Sequence, residues 1–346
     1  MYLTEKEIFS TPEALEKSFT QAMSQRAEIE RFFTKNAQRR FVFLGCGSSY
    51  MLAKSCARMF AVRPATTAVA IAGGDYLIDP EYYANIISGS IVVVLSRSGM
   101  TSEIIRTVQH ILENSDAKFI SITMREENDL DKLSTVSIKL PWAYDDSVCQ
   151  TRTVTNLYAV SLLLNAICYH DEVLIQAVST AVKNSSPFLT EHRAALESIG
   201  KKPFRNVIVL ADGPLSGLAE EGSLAFTEIA LVPGHSFNLL DYRHGPIVIN
   251  NKDTLTIVAL KPVAGEYQPQ MVADLKMHGG TLVTMSEDSE NTYQTDLHIG
   301  VGTVGDFAAM GIYFIMVCQI IALSKALADG GNPDAPTGLD AFITLK

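Results

Sequence analysis

Short runs of consecutive apolar residues recur along this 346-residue chain, each leading through a polar junction into a stretch with helical spacing. FVFLG (41–45), TTAVAIA (66–72), IVVVL (91–95), KFISIT (118–123) and VSIKL (136–140) are the runs of the first half. NVIVLA (206–211), TLTIVAL (254–260), TLVTMS (281–286) and DLHIG (296–300) are those of the second. Strands apolar on both faces belong to parallel sheets covered by helices on either side, so the pattern predicts an α/β protein with doubly wound parallel sheets. The halves share a plan and few residues, which predicts two such domains in tandem.

The remaining segments set the boundaries. Residues 1–34 are polar and helical in character and predict one or two surface helices as a leader. A first domain then covers 35–170, and 171–200 form a helical linker broken at SSP (185–187). A second domain covers 201–330, closing on the apolar helix DFAAMGIYFIMVCQIIALSKALA, and 331–346 form a tail.

Composition narrows the function. Apolar residues make up 47% of the chain, ample for a large core. No run of eighteen or more uncharged apolar residues is read in it, and MYLTEKEIFSTPEAL lacks a signal-peptide pattern, so a cytoplasmic protein without a membrane span is expected. The five cysteines are scattered without CxxC spacing and predict buried thiols in a reducing compartment. A net charge of −10 argues against nucleic acid or an anionic membrane as partner, but leaves room for a local anion site. No histidine pair has zinc spacing, and no metal is expected.

Two junctions of the first half concentrate hydroxyls: GCGSS (45–49) and SRSGMTS (96–102). In an open parallel sheet, ligands bind beyond the carboxyl ends of the strands, where helix N-termini offer free N–H groups. Ser48, Ser49, Ser96, Ser98 and Thr101 are therefore candidate donors to one phosphate. The competing reading is that they are ordinary helix N-caps. DDSVCQTRTVTN (145–156) is either a third wall of that pocket or a capped helix start. In the second half the same junctions lack hydroxyls. There Glu221, Ala225 and Glu228 share one helix face, and a polar loop ends in RHGP (243–246). A carboxylate and an imidazole suit proton transfer near neutral pH, although Glu228 and His244 taken singly also fit a solvated face and a turn.

Together GCGSS, LSRSGMTSE, VCQTRTVTN and YRHGP resemble the sugar isomerase (SIS) domain family, and the duplication resembles the isomerase half of glucosamine-6-phosphate synthase and the AgaS-type enzymes. The resemblance covers the chain from about residue 25. It implies two flavodoxin-like SIS domains in tandem, with Ser48, Ser49, Ser96, Ser98 and Thr101 on the substrate phosphate. Glu228 falls on the glutamate that shuttles a proton between C1 and C2. His244 falls on the histidine that assists ring opening from the neighbouring subunit, which implies a homodimer or higher oligomer. Gly47, Arg97, Val148, Gln150, Glu221 and Arg243 fall on substrate-lining positions.

The departures are specific. Ala225 and Ala341 stand where the synthase has lysines, and Lys346 does not fit the position of the second. No glutaminase domain fits before residue 25, so glutamine-dependent synthesis is not expected. Arg97 and Arg243 lean towards the AgaS-like branch. The expectation is a cofactor-independent phosphosugar isomerase or deaminase acting on a hexose or hexosamine 6-phosphate. The alternatives are a fructosamine-6-phosphate deglycase and a sugar-phosphate-binding regulator without turnover.

Overall fold

The computed structural model describes residues 1–37, 39–263 and 265–339, so Ala341 and Lys346 lie outside the described residues. Three helices open the chain: α1 (Leu3–Phe9), α2 (Thr11–Ser24) and α3 (Arg26–Lys35). The first sheet unit runs β1 (Arg40–Gly45), α4 (Ser48–Ala61), β2 (Thr67–Ala72), α5 (Gly73–Ile78), α6 (Pro80–Ile87), β3 (Ile91–Ser96), α7 (Ser102–Asn114), β4 (Lys118–Thr123), α8 (Asp129–Leu133), β5 (Val136–Lys139) and α9 (Arg152–Tyr169). After α10 (Glu172–Gly200), the second runs β6 (Asn206–Leu210), α11 (Ser216–Ile229), β7 (Gly234–Phe237), β8 (Thr254–Ala259), α12 (Tyr267–His278), β9 (Thr281–Ser286), β10 (Leu297–Gly300) and α13 (Phe307–Ala328).

Both sheets are parallel throughout, in the orders β2-β1-β3-β4-β5 and β7-β6-β8-β9-β10. This is the flavodoxin-like order twice, with a switch point beside β1 in the first sheet and beside β6 in the second. β3 and β8 are buried at every residue, which accounts for their unbroken apolar runs.

Four expectations are corrected. The leader is three helices, and Ile8, Leu15, Ile29, Phe32 and Phe33 are buried in the main core, so it is part of the first domain's packing rather than a surface appendage. SSP does not break α10: the helix continues through Pro187, because Val182, Ser185, Phe188 and Leu189 are buried around it and that packing outweighs the missing N–H. β7 and the pair α5 and α6 went unread, since GHSF is a short, half-exposed edge strand with no alternation. Finally, α13 is long and apolar enough to cross a membrane by length and composition, with mean hydropathy 2.1, yet 94% of that window is buried inside the protein. It is the central helix of the core, apolar because protein surrounds it, and its one charged residue, Lys325, stands in the last turn.

The halves meet through α4 and α11, which run antiparallel. Gly217 lies against Met51 and Ser55, the Leu218 N–H donates to the Ser55 hydroxyl at 3.1 Å, and Lys54 pairs with Glu220. A Cβ on Gly217 would stand 2.4 Å from the Met51 carbonyl oxygen and 2.7 Å from the Ser55 nitrogen. Gly217→Ala is expected to destabilise the protein by about 1–3 kcal/mol through overpacking, read as a lower urea midpoint.

Candidate active site

The first wall of the site grows from β1. Gly45 is obligatory there: a Cβ would stand 2.4 Å from the Ser49 carbonyl carbon. Gly47 turns the chain with φ +54° and serves as the N-cap of α4 without a side-chain cap bond. The cap of α7 is Thr101, again with no side-chain cap bond. The hydroxyls at these two helix starts are therefore not used as caps, and the capping reading does not describe them.

What they do instead is line a pocket of about 50 Å³, the scale of one tetrahedral oxyanion. Ser49, Ser96, Arg97, Ser98, Thr101 and Gln150 surround it, with Cys46, Leu95 and Ile104. The Ser96 hydroxyl accepts the Gly99 N–H at 3.0 Å, and that of Ser98 accepts the Met100 N–H at 3.1 Å. An accepted N–H occupies the oxygen and leaves the hydroxyl proton to donate, so these two serines suit an anion. Larger cavities of about 490 and 520 Å³ lie at the far end of α4 and beside α10, away from these hydroxyls.

Ser48 is set apart from the other four. It does not line the pocket; its hydroxyl lies towards Glu221 and acts to lower that carboxyl. Arg97, nearly buried, donates through Nη1 to the carbonyls of Ser147 (2.9 Å), Val148 (3.2 Å) and Asp145 (3.4 Å). It thereby fixes the segment that brings Gln150 to the pocket.

The second wall comes from α11. Because this helix runs antiparallel to α4, Glu221 meets Ser48 at the start of α4, and Glu228 lies two turns further along, past that start. Burial pushes the Glu228 carboxyl up to about 7, with the nearby Arg97 charge offsetting part of the rise. Glu221 is fully buried and is pushed well above the carboxylate range by that burial and by the Glu228 charge, with Ser48 acting in the opposite sense. Its Oε2 has no hydrogen-bond partner among the described residues. Burial likewise pushes up the Cys149 thiol, which feels both Glu228 and Arg97. The Glu221 carboxyl of the second half thus lies near Ser48 of the first, Glu228 is within reach of the Arg97 charge, and Ala225, buried between them in sequence, adds no cation.

Arg243 and His244 do not line the pocket. They occupy the loop after β7, where the Arg243 guanidinium pairs with Asp274 of α12 at 2.7 Å and His244 is exposed beside Gly245, whose φ is +123°. Sequence reasoning missed Cys46, Leu95 and Ile104, which have no chemical signature, and the carboxylates that hold 145–151 in place.

The folded pKa of Glu228 lies above its ordinary 4.5, so the folded protein keeps a proton that the unfolded chain has lost between pH 4.5 and about 7. The stability this contributes is complete below that window and is lost as pH rises through it. Glu228→Gln is therefore expected to gain stability relative to the wild type across the window, measured as urea midpoints at successive pH values. Ser98→Ala combined with Thr101→Ala is expected to weaken phosphate binding by about tenfold or more, read by calorimetry.

Comparison with known proteins bears on the fold. Residues 36–166 match the SIS domain family. The chain is 26% identical over 353 residues to the D-galactosamine-6-phosphate deaminase AgaS of Shewanella sp. (strain ANA-3), covering 97% of this chain and 88% of that protein. It is 24% identical to the glutamine–fructose-6-phosphate aminotransferase of Sulfurisphaera tokodaii, of which it spans only 56%. The crystal structure of tagatose-6-phosphate ketose/aldose isomerase from Escherichia coli superposes with a TM-score of 0.85 at 20% identity, covering 98% of this chain and 96% of that one. The first sheet unit is thus the part that matches the SIS domain family, and the second sheet repeats its parallel five-stranded order.

Proposed function

We propose that this protein is a phosphosugar isomerase or amino-sugar-phosphate deaminase that moves a proton between C1 and C2 of an open-chain hexose or hexosamine 6-phosphate. The observation that carries the reading is the placing of Glu228, raised to about 7, beyond the start of the helix whose N-terminus lines an oxyanion-sized pocket. Ser49, Ser96, Ser98 and Thr101 hold the phosphate, which leaves the far end of the sugar to reach α11. A carboxylate with a pKa near the working pH takes a proton from carbon and returns it to the neighbouring carbon. The relatives named above, a deaminase and a ketose/aldose isomerase, carry out reactions of this class by their names.

The same step serves both outcomes. With a hydroxyl at C2, the proton moves from C2 to C1 through an enediol, and the aldose becomes the ketose. With an amine at C2, the transfer leaves an imine at C2, which water hydrolyses to the ketose 6-phosphate and ammonia. The acid pair Glu221 and Glu228, with Ala225 in place of a lysine, favours the amine-bearing substrate, because its ammonium supplies the positive charge that this face lacks. His244 opens the sugar ring from the neighbouring subunit in this scheme, which its exposure on the single chain allows.

Three results are expected. Glu228→Gln lowers turnover by about 10²–10⁴-fold while phosphosugar binding by thermal shift persists; undiminished turnover rejects the proton-transfer role. In the wild type kcat/KM rises with pH up to about 7, as Glu228 loses its proton. An assay of ammonia release beside aldose/ketose interconversion, over hexose and hexosamine 6-phosphates, separates deaminase from isomerase, and binding without either product identifies a regulator.

A further inference from the structure

The segment 145–151 has no helix or strand of its own, so its backbone groups depend on side chains and distant carbonyls for partners. Glu7 of α1 supplies several of them. It is 3% exposed. Its Oε1 accepts the N–H groups of Asp146 (2.6 Å) and Ser147 (3.1 Å), and its Oε2 accepts the Ser147 hydroxyl. The carbonyls of Asp145, Ser147 and Val148 accept from Arg97 instead. Asp145 folds the far end of the segment by accepting the N–H groups of Thr151 (2.7 Å) and Thr153 (2.9 Å). The Val148 N–H reaches the Asp334 carbonyl at 3.3 Å, and the Asp334 carboxylate accepts the N–H groups of Leu3 and Thr4 at 2.8 Å each. The leader helix and the tail therefore close around one irregular segment.

That segment carries Gln150 into the oxyanion pocket and Cys149 to the neighbourhood of Glu228. The Gln150 carbonyl oxygen is buried without a hydrogen-bond partner among the described residues, so backbone placement, not its own contacts, fixes where that amide sits. We infer that Glu7 is a positioning residue for the substrate pocket: by gathering three donors of 146–147 on one carboxylate, it makes the leader helix set the pocket wall that bears Gln150. The assignment rests on the reading of that pocket as the substrate site. A carboxylate is well suited to the task, since bonds to an ionised acceptor are shorter and stronger than neutral ones.

Glu7→Ala, Glu7→Gln and Asp334→Ala, made in the full chain, test this by amide hydrogen exchange and by titration with inorganic phosphate and D-galactosamine 6-phosphate. In Glu7→Ala, the amides of Asp146, Ser147 and Val148 are expected to exchange about tenfold faster or more, with those of β1 and β3 unchanged. Affinity for both anions is expected to fall by about tenfold, and Glu7→Gln, which keeps one acceptor oxygen, to recover part of both effects. If Glu7→Ala does not fold, Asp334→Ala supplies the comparison through faster exchange at Leu3, Thr4 and Val148 with weakened anion binding. Wild-type exchange at 146–148, unchanged affinity despite local loosening, or loosening spread evenly over both sheets overturns the inference. A wild-type protein that binds neither anion fails the substrate-site reading instead, and the exchange rates at 146–148 then still decide whether Glu7 holds this backbone.

Discussion

The site depends on one close approach, the contact of α11 with α4 at Gly217. With hydrogen in place of a methyl group, the backbone of α11 comes up against Met51 and Ser55, and the two helices lie side by side in opposite directions. That direction is what matters. It brings Glu221 to the start of α4 and carries Glu228, in the last turn of α11, beyond it. Neither half holds both parts of the proposed chemistry, and their packing brings them together.

The division also separates two electrostatic tasks. In the proposed site a phosphate is met chiefly by hydroxyls and backbone amides, and the one cation on the pocket lining, Arg97, offsets only part of the rise in Glu228. Glu221 is buried and Glu228 half-buried on a helix enclosed by α4 on one side and α13 on the other, and desolvation raises both. Arg97 is the charge common to both regions: it braces the 145–148 carbonyls and is felt by Glu228 and Cys149.

Much of this architecture is legible in the sequence, for a physical reason. Strands buried on both faces must be largely apolar, as the central β1, β3, β6 and β8 are; the partly exposed edge strands β2, β5 and β10 still keep enough apolar residues to be read, whereas the edge strand β7, GHSF, leaves no such trace. The hydroxyl loops are visible because serine and threonine cluster after strands. Their freedom from capping duty is not, since it depends on Gly47 and on the backbone at Thr101. Glu228 cannot be told from other acids by pattern, because α11 is covered on most of its faces and has no polar side to contrast with. Ser48 and Ser49 are adjacent in sequence yet turn to different surroundings, one towards Glu221 and one into the pocket, a helix-geometry effect that a motif does not encode. Glu7 is the least legible of all: its role is fixed by contacts with residues about 140 positions away.

The position of α13 bears on how the molecule is made. This helix fills the core shared by both sheets, and residues of α4, α9, α10 and α11 belong to the same buried cluster. In a chain synthesised from the N-terminus, the first sheet and the long α10 emerge well before α13 does. Until then their apolar faces have no cover from it, and the surface that α13 will fill is open to water and to other chains. The two halves share a fold but not an independent existence during synthesis, and completion of the core waits on residues 307–328.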